Sequence, residues 1–181
     1  MTRHIMVIRH AEKPATDGSV LGVDPSGRPD NDQLSVAGWQ RAGALVQLFT
    51  GALSRGRLQR PAHLFAPGPT PDSPSVRALS TLVPLGACLG LAVNTGFVKG
   101  EEEELVDSIV NLRGPVLVAW EHRAIVRIAN LLMRSDAMTP QVWPDDCFDR
   151  IWVFLRTGSE WLFSEAPQLL LAGDSKCTAH A

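Results

Sequence analysis

A broad field of positive charge is missing from this 181-residue chain: 17 Lys and Arg stand against 19 Asp and Glu, for a formal net charge of −2. A nucleic acid backbone needs many cations on one face, so nucleic acid is not an expected partner. Any anion site must be local, built from a few arginines. No apolar run approaches the ~20 residues of a membrane-spanning helix, so no membrane association is expected. The N-terminal apolar run is also too short for a secretory signal. Cysteine is scarce, and Cys88, Cys147 and Cys177 are an odd number without metal-type spacing. That pattern suits reduced thiols in a cytoplasmic protein. Among five histidines no pair sits at zinc-ligand spacing, so neither a metal nor another cofactor is expected. What remains, 45% hydrophobic and 20% charged residues, is ordinary for a soluble globular protein. The length suits one domain with a sizeable core.

Around Ile5-Met6-Val7-Ile8-Arg9-His10 the pattern is sharpest. Its β-branched run reads as a buried strand, and it ends abruptly in charge. In open α/β sheets the carboxyl ends of strands face the ligand crevice. An arginine beside an imidazole at that place suits an anion whose centre accepts a nucleophile, phosphate above all.

Residues 14–34, rich in Gly, Pro, Asp and Asn, form a long loop following His10. Ser35 is placed as a helix N-cap, opening a helix over 36–53 with apolar residues at helical spacing. Gly38 and Gly43 suggest close packing there, and Arg55 and Arg57 suit the helix's negative pole. A short strand over 62–66 and a proline-rich loop over 67–74 precede a second helix, from near Ser75 to Leu89. Pro84 should kink it, Gly90 should stop it, and Cys88 is expected on its buried face. A strand over 91–95, a helix opening at Glu101 to Glu104, a strand over 115–120 and a helix over 125–133 follow. After a loop over 139–149, strands over 150–157 and 161–163 read as a terminal hairpin, and 173–181 as frayed. Alternating strands and helices imply an α/β three-layer αβα sandwich whose mostly parallel sheet has an antiparallel edge. The domain is expected over 1–165, with 166–181 a partly disordered extension.

Arg9, His10, Arg77 and His122 all fall at strand ends or helix starts. Arg77 lies in the first turn of the second helix, where backbone donors attract anions and its planar fork can bind two phosphate oxygens. Imidazole is a competent nucleophile when one nitrogen is unprotonated. Two guanidiniums can neutralise the charge spread over a phosphoryl group in flight. His122 is more useful as a protonated donor. Trp39 and Trp120 read as core, and His4 as structural.

Four stretches resemble the histidine phosphatase superfamily, the phosphoglycerate mutase-like fold. Arg9-His10-Ala11 is similar to its Arg-His-Gly/Ala motif. Leu34-Ser35-Val36-Ala37-Gly38-Trp39-Gln40-Arg41-Ala42 is similar to its first helix start. Ser75 to Thr81 is similar to its Ser-x-x-Arg-Ala-x-x-Thr segment, and Val116 to His122 to the strand reaching its second histidine. The resemblance implies that His10 is a nucleophile that becomes transiently phosphorylated, with Arg9, Arg77 and His122 on the phosphoryl oxygens. Members that hydrolyse phosphomonoesters usually carry a carboxylic acid near the nucleophile, and the segment where it often appears coincides with Glu101 to Glu104. Glu101 is the choice, with Glu12 and Glu121 as alternatives. Small members without the acid act on better leaving groups such as phosphohistidine.

The expected protein is therefore a metal-independent phosphatase acting on a phosphorylated small molecule or phosphoprotein through a phosphohistidine intermediate. A phosphomutase of the same fold would need a closed basic pocket, and beyond Arg9, Lys13, Arg77 and Arg123 the crevice offers few cations. A non-catalytic phosphate-binding domain would keep the arginines without needing both histidines.

Overall fold

Residues 3–51 and 58–174 are described by the computed structural model. One six-stranded sheet carries the strand order β3-β2-β4-β1-β5-β6. Its members are β1 (Arg3–Arg9), β2 (His63–Phe65), β3 (Val93–Asn94), β4 (Val116–Trp120), β5 (Arg150–Thr157) and β6 (Glu160–Pro167). The helices between them are α1 (Val36–Thr50), α2 (Arg77–Leu89), α3 (Glu102–Ile109) and α4 (His122–Met133). β1, β2, β3 and β4 pair in parallel, while β5 runs antiparallel to β1 and to β6. The expected mostly parallel sheet with an antiparallel edge is the one observed.

The central strands are apolar on both faces because each face carries a helix layer. Along β1, Ile5 and Val7 join one core cluster while Met6 and Ile8 join the other. β4 divides in the same way, with Val116, Val118 and Trp120 against Leu117 and Ala119. The first cluster holds Leu105 and Ile109 of α3 and Ile125, Ile128 and Leu132 of α4. The second holds Leu45, Leu48 and Phe49 of α1 and Leu82 and Leu85 of α2. Period 2 in the strands meets period 3.6 in the helices, and each large side chain buried this way is worth roughly 1.5–3 kcal/mol. Trp120, expected in the core, is fully buried.

Several element ends differ from the sequence reading. Helix α1 is described to Thr50, and the expected Leu53, Arg55 and Arg57 lie outside the described residues, as do Cys177 and the stretch from 175 onwards. α4 starts at His122 rather than Ile125. Helix α2 runs through Pro84 without interruption. Cys88 is exposed rather than buried, because it lies in the last turn of α2, past Leu85 and Gly86, the last buried residues of that helix. Gly43 has open space where a side chain would begin, so it is not a close-packing position. Strand β6 continues past the expected boundary at 165/166, and Gln168 and Asp174 beyond it are buried. No described helix is long and apolar enough to cross a membrane.

Candidate active site

β1 and β4 are adjacent and parallel, with Arg9 opposite Trp120 in the ladder. The His10 amide extends the pairing to the Trp120 carbonyl at 3.0 Å. The two strands therefore release His10 and His122 side by side. Their outgoing helices part: α1 covers one face and α4 the other. A divergence of that kind opens a crevice at the carboxyl ends of the strands.

His10 is buried at 7% exposure. Its Nδ1 lies 2.8 Å from the Ala11 carbonyl. A carbonyl only accepts, so Nδ1 carries the proton and Nε2 keeps its lone pair. Burial pushes the imidazole down to about 3; the Ala11 carbonyl opposes this, and the charges of Arg9, Arg77 and His122 add to it. His10 is thus neutral at pH 7, and three separate parts of the chain bear on it electrostatically. The Ala11 amide donates to Thr81 Oγ1 at 2.8 Å, and Thr81 in turn donates to the Arg77 carbonyl at 2.7 Å. That relay fastens the His10 turn to the first turn of α2.

The phosphate-binding candidates have donors to spare. Arg9 is 1% exposed and points Nη1 at the carbonyls of Pro144, Asp145 and Cys147. Its guanidinium lies 4.0 Å over the Phe148 ring, a cation–π contact. Its Nε and Nη2 are buried without a partner among the described residues. Arg77, the first residue of α2, gives Nη2 to the Asn31 carbonyl at 2.9 Å, and its Nε is likewise a buried atom without a partner among the described residues. Burial holds both guanidiniums below their usual range. His122 places Nε2 2.6 Å from an Asp145 carboxylate oxygen, a contact not aligned as a hydrogen bond, and its Nδ1 has no partner among the described residues. Burial, then the Arg9 charge, push His122 down, against the pull of Asp145 and Glu121. In this state His122 leans towards the neutral form, not the protonated one expected.

Arg41 is the contrasting case. It is as buried as Arg9, yet Glu12 takes Nε and Nη2, Asp174 takes both terminal nitrogens and Gln168 takes Nη1. Burial lowers Arg41, and the Asp174 and Glu12 carboxylates overcome that to leave it raised. A buried guanidinium without such partners is costly unless an anion completes it. Arg9 and Arg77 have that unmet need and Arg41 does not.

The Leu34–Ala42 stretch acquires its physical meaning here. Ser35 caps α1 by accepting from the Gly38 amide, and donates both its amide and its hydroxyl to the Glu12 carbonyl. A Cβ on Gly38 would lie 2.4 Å from that carbonyl oxygen. Arg41 then grips the Glu12 side chain. The whole start of α1 is a clamp on the residue two places after His10. Both Glu12 oxygens are committed to Arg41, which removes Glu12 as an available proton donor.

Glu101, the N-cap of α3, accepts from the Val98 amide at 2.9 Å. No hydrogen bond or ion pair joins it to Arg9, His10, Arg77 or His122 among the described residues. The neighbouring Lys99 pairs with Glu121 at 3.6 Å, which brings the 98–101 turn to the exit of β4. Glu102, one of four consecutive carboxylates of a kind usually left in solvent, is buried and accepts from the Trp120 indole at 3.0 Å. Lys13 and Arg123 are exposed. Sequence reading missed Asp145, Phe148 and Asn31, and gave no role to Thr81, which ends the Ser75–Thr81 segment. The Asp145-Asp146 pair inside a loop was a visible signal, but nothing local shows that this loop folds back over Arg9.

No protein-family model and no curated protein sequence matches the chain. Solved structures do. A phosphoserine phosphatase from Entamoeba histolytica in complex with 3-phosphoglyceric acid aligns at 14% identity, covering 93% of this chain and 100% of that one, with a TM-score of 0.60. A mycobacterial glucosyl-3-phosphoglycerate phosphatase complexed with VO3 aligns at 15% identity over 90% and 97% of the two chains, TM-score 0.59. A putative alpha-ribazole-5'-P phosphatase from Escherichia coli K-12 aligns at 12% identity over 91% and 96%, TM-score 0.57. At these identities the likeness is one of fold, and the fold is the phosphoglycerate mutase-like one expected.

Proposed function

We propose that the chain is a phosphatase of the histidine phosphatase superfamily, hydrolysing a phosphomonoester or phosphohistidine without metal through phospho-His10. The observation that carries this reading is the juxtaposition of a neutral, Nδ1-protonated imidazole with the buried Arg9 and half-buried Arg77 guanidiniums, both of which keep buried donors without a partner among the described residues. The fold neighbours with phosphatase names support it.

In the first step the Nε2 lone pair attacks phosphorus in line and the bond to the leaving oxygen breaks. Arg9 Nε and Nη2 and Arg77 Nε hold the equatorial oxygens, where guanidinium forks do electrostatic work that needs no metal. A phosphoryl dianion beside His122 raises that imidazole's proton affinity, which makes it a donor in the complex. An alkoxide leaving group takes a proton from a carboxylic acid; we assign that proton to Glu101 and use Glu121 as the comparison. Water then attacks phospho-His10, its proton goes to the same carboxylate, and phosphate leaves with His10 restored.

The test is hydrolysis of an aryl phosphate in the presence of a chelator. The wild type turns over, and His10→Ala loses at least ~10³-fold in kcat. Turnover that survives in His10→Ala, or that requires added divalent metal, defeats the proposal. Glu101→Gln should lower activity on alkyl phosphates far more than on aryl phosphates, whose leaving groups need no proton; equal loss on both removes Glu101 as the acid.

A further inference from the structure

We infer that the cleft along α4 is the leaving-group half of the substrate site, shaped for a phosphomonoester with an apolar stretch and a second, distal acidic group. This rests on the phosphatase reading and names the substrate class it serves. The cleft has a volume of about 820 Å³, large within the ~300–1,000 Å³ range of small-molecule sites. His122 and Asp145 are among its lining residues while Arg9, His10 and Arg77 are not, so it borders the proposed phosphoryl site through His122.

From there the cleft follows α4. Arg123, Arg127 and Arg134 line it at positions i, i+4 and i+11, one face of the helix. At 1.5 Å rise per residue, Arg134 lies about 16 Å beyond Arg123. Val126, Val142 and Trp143 form an apolar wall between these charges, and Val142 is 72% exposed. Arg123 and Arg134 make no hydrogen bond or ion pair through their side chains among the described residues. Arg127 reaches Glu102 and Glu103 only at 4.0 and 3.9 Å. Two carboxylates also line the cleft, Asp136 and Asp145, against the three guanidiniums. The balance favours an anion.

Arg134 adds a second kind of observation. It caps α4 in the left-handed region, φ 53°, where glycine is the low-cost residue. An arginine there holds an unfavourable backbone state and contributes a charge that glycine would not. A three-carbon phosphate would fill only the His122 end of such a cleft. A longer leaving group would lie along Val126 and Val142 and place its acid near Arg127 or Arg134.

Two arylphosphonates test this, matched except that a para alkyl chain ends in a carboxylate or in its amide. Their binding is measured by calorimetry on the wild type and on an Arg127→Gln/Arg134→Gly variant, the glycine chosen because it suits the left-handed cap. The carboxylate should bind the wild type about tenfold more tightly than the amide. In the variant the two should differ by no more than about twofold. Equal binding in the wild type, or a preference that survives in the variant, overturns the inference. So does tight binding reserved for an acidic phosphopeptide. Phenyl phosphate turnover, run in parallel, reports on the phosphatase reading alone; its absence would bring down that reading without altering the binding comparison.

Discussion

His10 is an imidazole kept neutral by its surroundings, and this has a thermodynamic signature. Its affinity for a proton falls from the ordinary 6.5 to about 3, chiefly through burial. Below pH 6.5 the unfolded chain binds a proton there that the folded chain refuses. Stability therefore declines as pH falls from 6.5 towards 3, at up to ~1.4 kcal/mol per pH unit from this group. His10→Ala should flatten that acid limb, read as the change in unfolding free energy between pH 7 and pH 5 by urea denaturation. An unchanged limb would mean that His10 titrates normally. The two arginines should separate in a second measurement. Among the described residues the Arg77 side chain holds only the Asn31 carbonyl, so Arg77→Ala should lose ~10²–10³ in kcat with little change in the urea midpoint. Arg9 also fastens the 144–147 loop through three carbonyls, so Arg9→Ala should lose both activity and stability. Arg9 and His10 were legible in the sequence because a strand ended in them. Asp145 was not, because its partner His122 is brought to it by the fold rather than by spacing.

Among the elements, α1 has the most to explain. Its first turn and Arg41 fix the backbone and side chain of Glu12, and the same arginine secures Asp174 near the end of the described chain. Burial pushes the Asp174 carboxyl up, and Arg41 with the Leu170 and Leu171 amides brings it below its usual range. Arg41→Met should therefore cost ~3–5 kcal/mol, as expected when one partner of a buried ion pair is removed. Equilibrium unfolding checks this, and a loss under 1 kcal/mol would show the network to be dispensable. The motif containing Ser35, Gly38 and Arg41 could be recognised from sequence. What it holds could not, since Glu12 lies in another element and Asp174 lies far along the chain. Charge runs mislead for the same reason: Glu102 reads as solvated beside Glu103 and Glu104 until Trp120 is seen to need an acceptor.

For the molecule as a whole, two adjacent central strands deliver two histidines at their carboxyl ends, and their helices diverge to leave room for a ligand. A chain with net charge −2 there concentrates guanidiniums whose donors the protein itself does not satisfy. The alternation of strands and helices made this architecture readable, because period 2 and period 3.6 are local properties. The sheet order and the folding back of 144–148 are long-range outcomes and were not readable. The most direct measurement is to mix the protein with an aryl phosphate, quench in alkali, which preserves a phosphoramidate, and locate the added phosphoryl group by peptide mass spectrometry. The phosphoryl group should be found on His10, and should be lost on brief acid treatment. A turning-over enzyme that carries no phosphoryl group on His10, or carries it on another residue, would contradict the proposed chemistry.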